Sequence, residues 1–321
     1  MIDSDKISTT LQDAIASINY PAEPARLYLP IKYTMASGGK RLRPTLLLSV
    51  MAALGKDFST GINQALGIEM FHNFTLLHDD VMDGAELRRG QPTVHTRWDV
   101  NTAILSGDAM LTMAGTFMSQ CEERHLCAVQ ALFSKTAMEV YEGQQYDVDY
   151  ECRTDVTVSQ YLEMIRLKTS VLLACACKMG AILSDADEAT CEAFYEYGIK
   201  VGLGFQLQDD RLDTYGDPVI FGKQIGGDII NEKKTWLLIS ALNLDKSGEL
   251  ASILGSSINN DEKVERVRAI YDRLGLNEQS KHLKETYAAD AIAAISKVEL
   301  APEDREYFVR LAESLTQRNF S

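Results

Sequence analysis

Apolar residues recur at the spacing of helix faces along much of the chain. One such stretch, ahead of a polar segment, places them at Leu105, Met110, Leu111, Met113, Ala114, Phe117 and Met118. Residues at this spacing share one side of an α-helix, which can then pack against a core. No proline occurs between Pro92 and Pro218, a gap that long helices tolerate and that a fold of many strands and turns would seldom leave. The pattern predicts an all-α fold.

Nothing in the 321 residues marks a boundary between domains. The chain has no Ser/Gly-rich linker, low-complexity tract or obvious repeat. Although the length exceeds that of an average domain, we therefore expect one large helical domain over residues 1–321.

Two aspartate-rich clusters, DDVMD and DDRLD, share one spacing. Their members are Asp79, Asp80 and Asp83 in the first cluster and Asp209, Asp210 and Asp213 in the second. Residues four apart lie on one face of a helix, so Asp79 and Asp83 can aim two carboxylates at one point. Mg²⁺ binds one or two carboxylates and takes its remaining ligands from water and substrate phosphates. The repeated cluster therefore suggests a diphosphate held between two helices through metal.

A single cluster of this kind is more often a solvated acidic face than a site. Here both clusters follow apolar runs, in FHNFTLLHDDVMDG and GLGFQLQDDRLD. Such runs would carry the carboxylates to an interior end of a helix, where polar groups must be satisfied by a partner. The surroundings thus favour a functional site over a solvated face.

Basic residues accompany the clusters. The segment GGKRLRP at residues 38–44 joins glycines, cations and a proline suited to a helix start. Arg88 and Arg89 follow the first cluster, and Lys223 and Lys233 bracket the GGDII segment after the second. Arginine matches phosphate oxygens with two parallel hydrogen bonds, and lysine serves as a point charge. Each pair alone is a weak signal, because surface cations are common, but together they indicate phosphate binding.

The formal net charge is −14. It disfavours nucleic acid as a partner and a basic face for docking on membranes. The most apolar stretch, Val171 to Leu183, is interrupted by Lys178 and is too short to span a bilayer. The first residues show no signal peptide, and the six scattered cysteines lack the spacing of a zinc site. We expect buried, reduced thiols and a cytoplasmic protein.

These motifs resemble the trans-isoprenyl diphosphate synthases, also called polyprenyl synthetases. The resemblance runs through GGKRLRP, EMFHNFTLLHDDVMDGAELRRGQPTVH, ILSGDAML, EGQQYDVDY, RLKTSVLLACACKMG, GFQLQDDRLD and FGKQIGGDIINEKKTWL. It implies the isoprenoid synthase fold, with helices around a central substrate cavity. It also implies a prenyltransferase that uses Mg²⁺ to condense isopentenyl diphosphate with dimethylallyl, geranyl or farnesyl diphosphate, and it implies a homodimer by analogy.

The resemblance also implies residue roles. The implied metal residues are Asp79, Asp80, Asp83, Asp209 and Asp213. Among Asp80, Asp210 and Asp213, some act in the family through water rather than on the metal directly. The residues implied to grip isopentenyl diphosphate without metal are Lys40, Arg43, His72 and Arg89. Those implied to hold the allylic diphosphate are Arg88, Lys168, Lys223 and Lys233. Carbonyl and hydroxyl dipoles of Lys168, Thr169 and Gln206 would stabilise the allylic cation. The alternative for His72 and His78 is a hydrogen-bonded core histidine.

Two aromatic residues before the first cluster bear on product length. A helix rises ~1.5 Å per residue, so Phe74 would lie roughly 7 to 8 Å below Asp79, and Phe71 about 12 Å below it. Both could form the floor of a tunnel for the isoprenoid tail. Thr75 is small where many farnesyl diphosphate synthases place a second aromatic ring, so the arrangement resembles synthases with one aromatic ring at that depth. We expect a C15 or C20 product, with C20 favoured. The alternative is that both rings are ordinary core residues.

Three other functions compete with a synthase. A terpene cyclase needs no second diphosphate site, and its second metal motif usually carries Asn, Ser or Thr and Glu, unlike DDRLD. A non-catalytic regulatory subunit typically loses the aspartate clusters, which are intact here. A purely structural helical scaffold leaves both clusters and their cations unexplained.

Overall fold

The computed structural model describes residues 1–216 and 225–317, and this part of the chain is almost entirely helical. The helices are α1 (Ser4–Ala16), α2 (Ala25–Ala36), α3 (Leu42–Ala53), α4 (Ile62–Met82), α5 (Val94–Arg97), α6 (Val100–Met118), α7 (Glu123–Glu151), α8 (Val158–Ile165), α9 (Val171–Leu183), α10 (Glu188–Tyr215), α11 (Gly227–Ile230), α12 (Trp236–Leu244), α13 (Glu249–Leu254), α14 (Asn260–Arg273), α15 (Leu276–Ile295) and α16 (Pro302–Gln317). The predicted all-α fold is confirmed.

Short elements fill some of the connections. A 3₁₀ turn at Phe58–Gly61 precedes α4, and a π turn at Arg166–Ser170 joins α8 to α9. Strands β1 (Leu87–Arg88) and β2 (Gln91–Pro92) pair antiparallel as a hairpin. In the two described ranges, no helix is both long and apolar enough to cross a membrane.

The chain divides into two compact units, and each unit is built from two segments. Unit 1 contains Met1–Ser134 and Cys175–Cys191, and unit 2 contains Lys135–Ala174 and Glu192–Ser321. The chain therefore passes between the units three times. That residues 1–321 act as a single domain stays a prediction.

The centre of unit 1 is α4, which packs against α6 and α3. It is buried on most of its circumference, as its apolar sequence predicts. Gly67 allows the close approach of α6, because a Cβ there would lie 2.7 Å from the Met118 side chain and 3.1 Å from the Ala114 carbonyl oxygen. The helix that carries the first aspartate cluster is thus closely packed over most of its length.

Unit 2 has apolar clusters that anchor α10. Tyr161 and Met164 of α8 are buried in one cluster with Leu203 and Leu207 of α10 and Ile239 of α12. A second cluster packs α12 against α14. The C-terminal half of α10, which carries the second aspartate cluster, is therefore fixed against α8.

Candidate active site

The first aspartate cluster lies at the C-terminal end of α4. Asp80 is buried, Asp79 is half-buried and Asp83 is exposed as the residue that caps the helix. The Asp83 amide donates to the Asp79 carbonyl oxygen at 2.8 Å, so these two residues lie one turn apart on one side. The C-terminal end of a helix carries a partial negative charge. Carboxylates there are unfavourable without a cation, and their oxygen ligands fit a hard divalent metal.

Asp80 has a protein partner. Its Oδ1 accepts a hydrogen bond from Arg88 Nε at 2.7 Å. Burial raises the pKa of the Asp80 carboxyl, and the Arg88 guanidinium offsets part of that rise. The structure therefore pairs Asp80 with Arg88, which were predicted to contact metal and the allylic diphosphate, respectively.

Arg89 is positioned by the hairpin turn. Arg89 and Gly90 have φ values of 52° and 75°, which are typical of the two central residues of a type I′ turn. The Arg89 guanidinium donates to the Gly38 carbonyl. A Cβ on Gly39 would lie 2.8 Å from that guanidinium, so glycine lets the side chain lie against the 38–44 segment.

Arg43 and His72, both assigned to the isopentenyl diphosphate site, lie in contact. Arg43 Nη1 lies 3.2 Å from His72 Nε2. Burial, followed by the positive charges of Arg43 and Arg89, lowers the pKa of His72 well below its usual value. The imidazole is therefore neutral, and its Nε2 accepts from the guanidinium. Lys40 is exposed on the same turn.

The positive charges of four arginine side chains contribute to lowering the pKa of His72. They are Arg41, Arg43, Arg88 and Arg89. Arg41 and Arg88 are ion-paired with Glu69 and Asp80, respectively, but four guanidinium groups in an acidic protein still make this region locally positive, which suits an anion such as a diphosphate.

Arg41 has a structural role that the sequence did not reveal. It forms an ion pair with Glu69 and donates to the Met35 carbonyl at 2.6 Å. Glu69 is 2% exposed and also accepts from Asn73 Nδ2 at 2.7 Å. This network ties the 38–44 turn to α4. A glutamate within the apolar run of α4 was the available sequence signal, because a buried carboxylate needs a partner.

In the second cluster, both oxygens of Asp210 are occupied. Oδ2 accepts from the Tyr161 hydroxyl, and Oδ1 accepts from Gln206 Nε2 at 2.8 Å. Burial raises the pKa of the Asp210 carboxyl. Thr169 Oγ1 donates to Gln206 Oε1 at 3.0 Å. The structure thus brings together Thr169 and Gln206, which were predicted to supply dipoles, and it links them to the aspartate cluster through Asp210.

Asp228 is a member of this site that sequence reasoning missed. Its backbone amide donates to Asp213 Oδ1 at 2.8 Å. Burial, with the negative charges of Asp210 and Asp213, raises the pKa of Asp228 to about 8. Carboxylates that are close and desolvated repel each other, and a divalent cation would relieve the repulsion. An acidic residue in the GGDII segment, between Lys223 and Lys233, is the sequence signal for this position.

Asp147 joins two of the predicted cations. Lys168 Nζ lies 2.6 Å and Lys233 Nζ lies 3.7 Å from Asp147 Oδ2. Burial tends to raise the pKa of Asp147, but Lys233 and Lys168 outweigh it, so the pKa lies below its ordinary value. Asp147 belongs to the EGQQYDVDY motif, and its contact with the two lysines is not apparent from the sequence. Lys223 lies outside the described residues.

Glycines on two helices accommodate the π turn that carries Lys168 and Thr169. A Cβ on Gly143 of α7 would lie 2.3 Å from the Lys168 backbone nitrogen. One on Gly202 of α10 would lie 2.5 Å from Ser170 Cα. π turns often occur at functional sites, and this one packs directly on both helix backbones. The position of Lys168 therefore depends on glycine, which has no side chain, at both Gly143 and Gly202.

Phe71 and Phe74 are buried aromatic neighbours on α4. Their ring centroids lie 5.5 Å apart, and Phe71 also meets Phe133 edge-on at 5.3 Å. Thr75 is half-buried and donates to the His72 carbonyl at 2.8 Å. That the two rings close a substrate tunnel stays a prediction.

The predicted residues that the structure describes form one set in each unit. Unit 1 holds Lys40, Arg43, Phe71, His72, Phe74, Asp79, Asp80, Asp83, Arg88 and Arg89. Unit 2 holds Lys168, Thr169, Gln206, Asp209, Asp210, Asp213 and Lys233. Within the described ranges, no group of three or more histidine, cysteine, aspartate or glutamate side chains is arranged to hold a metal ion by itself.

Comparison with known proteins points to one family. The model of the polyprenyl synthetase family matches residues 24–274. A crystal structure of a geranylgeranyl pyrophosphate synthase has a TM-score of 0.95 and 44% sequence identity over 99% of this chain and 100% of that one. The geranylgeranyl diphosphate synthase of Methanosarcina mazei is 34% identical over 98% of this chain and 96% of its own length. A polyprenyl synthase from Caulobacter crescentus, solved in complex with calcium and isoprenyl diphosphate, has a TM-score of 0.87 and 28% identity over 98% of this chain and 96% of that one.

Proposed function

Because the chain belongs to the polyprenyl synthetase family, we propose that it condenses isopentenyl diphosphate with allylic diphosphates to give a short-chain prenyl diphosphate. The observation that carries this proposal is the meeting of two basic segments in the unit that holds the first aspartate cluster, where Arg43 contacts His72 and the Arg89 side chain lies against the 38–44 segment. It supplies an anion site in addition to the two acidic clusters. A terpene cyclase has one diphosphate to bind and needs no such site.

The residues present fit a divalent metal. Asp79 and Asp83 in unit 1, and Asp209 in unit 2, would each supply carboxylate oxygens to Mg²⁺, which takes its remaining ligands from water and diphosphate oxygens. When bound, the metal supplies Lewis-acid stabilisation of the charge on the departing diphosphate. Asp80 and Asp210 already accept hydrogen bonds from Arg88 and from Tyr161, respectively, which supports a role through water for both.

The remaining steps use the chain's own groups. Lys168 and Lys233 would bind the allylic diphosphate and stabilise it as the carbon–oxygen bond breaks. The hydroxyl of Thr169 and the amide of Gln206 would present dipoles to the allylic cation. Lys40, Arg43, His72 and Arg89 would hold isopentenyl diphosphate, whose double bond attacks the cation. Once the new carbon–carbon bond has formed, the isopentenyl group loses a proton, which would pass to the released diphosphate.

We propose a C15 or C20 product and favour C20. Phe71 and Phe74 are both buried on α4 before the first cluster, which supports a tunnel closed at short depth. The M. mazei relative and the 44% identical crystal structure are both named for a C20 product, geranylgeranyl diphosphate.

A homodimer in the cytoplasm completes the proposal. Val100, Ile104 and Leu105 expose 47%, 42% and 60% of their surface along α6, an apolar face suited to a second copy. Of the six cysteines, Cys175, Cys177 and Cys191 are buried, but Cys127 and Cys152 are exposed and Cys121 is half-buried, so the expectation of buried thiols is wrong for half of them. All six are free thiols, which supports a reducing compartment.

Incubation with Mg²⁺, isopentenyl diphosphate and each of the three allylic diphosphates tests the function, with products separated by chain length. We expect linear prenyl diphosphates that end at C20. Release of cyclic hydrocarbon would favour a cyclase, and absence of condensation would favour a regulatory subunit. Products of C30 or longer would contradict the proposed short-chain specificity.

A further inference from the structure

His78 has a contact that the proposed chemistry does not use. Its imidazole Nε2 lies 3.2 Å from the Ile104 carbonyl oxygen of α6 and donates to it. The ring occupies space left by Gly107 on the same helix. A Cβ on Gly107 would lie 2.2 Å from Nε2 and 2.5 Å from Cδ2 of His78. Any side chain at Gly107 must therefore displace this imidazole.

The same imidazole supports Phe74. The two ring centroids lie 4.8 Å apart with an interplanar angle of 67°, an edge-to-face contact. Phe74 in turn packs on Phe71, and Phe71 packs on Phe133. Four rings thus form a continuous column in unit 1. One end of this column rests on α6 at Gly107.

We propose that Gly107 and His78 are positioning residues that set product length by fixing the orientation of Phe74. The inference rests on the proposed function, in which Phe74 limits the growing isoprenoid tail. Glycine at position 107 lets the imidazole sit against α6, and the imidazole then restricts rotation of the Phe74 ring. Loss of this support would let Phe74 turn aside and admit a further isoprene unit.

The contacts from Gly107 through His78 to Phe74 are called the relay below. Gly107→Ala tests this relay from α6, at a position away from the aspartates that follow His78. Its matched control is Gly115→Ala on the same helix, because a Cβ at Gly115 meets nothing within 4 Å. With Mg²⁺, isopentenyl diphosphate and farnesyl diphosphate, we expect Gly107→Ala to raise the ratio of the product one unit longer to the wild-type product about fivefold, a change of the size that losing one aromatic contact produces. Gly115→Ala should leave the ratio unchanged.

A double variant guards against a general loss of folding. His78→Ala should lengthen the product as Gly107→Ala does. Adding Gly107→Ala to His78→Ala should change neither product length nor melting temperature further, because the new methyl group then has no imidazole to displace. A merely structural role would lower the melting temperature without moving the product ratio, and that result would overturn the proposal.

The experiments distinguish an error in the proposed relay from an error in the proposed function. If wild type makes C20 and Phe74→Ala lengthens it, but both Gly107→Ala and His78→Ala keep the C20 ratio, the relay is wrong and the synthase stands. If Phe74→Ala also leaves the ratio unchanged, Phe74 is a core residue and the relay falls with it. If wild type condenses nothing, the proposed function itself fails.

Discussion

Lys284 on α15 is a buried lysine beside the second aspartate cluster. Its Nζ donates to Gln208 Oε1 at 2.6 Å, and its residue is 5% exposed. Burial, followed by the positive charge of Arg211, lowers the pKa of Lys284 to about 8. The unfolded chain binds this proton more tightly, so the folded state is penalised below about pH 8 and recovers as pH rises towards ~10.4, the ordinary lysine value. We expect Lys284→Met, which removes this charge, to be more stable relative to wild type at pH 7 than at pH 9.5, by roughly 1 to 2 kcal/mol.

Urea denaturation of wild type and variant at pH 7 and pH 9.5 measures this effect. The stability difference should shrink at the higher pH, where Lys284 loses its charge in the folded protein. Lys281→Met, at an exposed position of the same helix, is the control and should change little at either pH. A gain from Lys284→Met that is equal at both pH values would show that packing, not charge, causes it.

At the scale of elements, the π turn between α8 and α9 depends on Gly143. The atoms closest to a Cβ at Gly143 belong to the Lys168 and Leu167 backbone, which cannot move aside as a flexible side chain can. Gly143→Ala should therefore destabilise the protein by roughly 2 to 3 kcal/mol. It should also shift Lys168 and impair use of the allylic substrate. Denaturation curves and steady-state kinetics with each substrate varied in turn measure both effects.

Gly115→Ala again serves as the control, since alanine in an open helix position costs no contact and gains helix propensity. The KM for isopentenyl diphosphate should change less than that for the allylic diphosphate, because the cations assigned to the former lie elsewhere in the chain. Normal stability and kinetics in Gly143→Ala would mean that the turn tolerates a shift of its backbone.

The sequence predicted the regular helices better than the π turn or the contacts between residues distant in sequence. The 3.6-residue pattern predicted α6, because burial of one face leaves a periodic signal. The proline gap predicted long helices between residues 92 and 218, which include α7 and α10, and the apolar run before the first aspartate cluster indicated α4. The π turn at Arg166–Ser170 contains neither glycine nor proline, so nothing in the sequence pattern distinguished it from the helices on either side. Asp147 and Asp228 were missed for another reason. Their partners are distant in sequence, and only the folded chain shows that they meet Lys168, Lys233 and Asp213.

For the whole molecule, the two aspartate clusters belong to different units of the chain. Each cluster lies in the last turns of a long helix, where carboxylates oppose the helix dipole. A requirement for both clusters would therefore be a property of the complete chain and not of either unit. The matched spacing that the sequence showed is the reason to expect it.

Asp79→Ala and Asp209→Ala should each lower turnover by orders of magnitude while the fold persists. The double variant should lose little more than either single one, because residues that serve one metal-bound diphosphate act as a unit. In a thermal melt, Mg²⁺ with an allylic diphosphate should raise the melting temperature of wild type, and EDTA should reverse the shift. Neither single variant should show the shift. Asp13→Ala, at an exposed position of α1, should behave as wild type. Near-normal turnover in either cluster variant with metal present would refute a shared role, because one cluster would then suffice to bind the diphosphate.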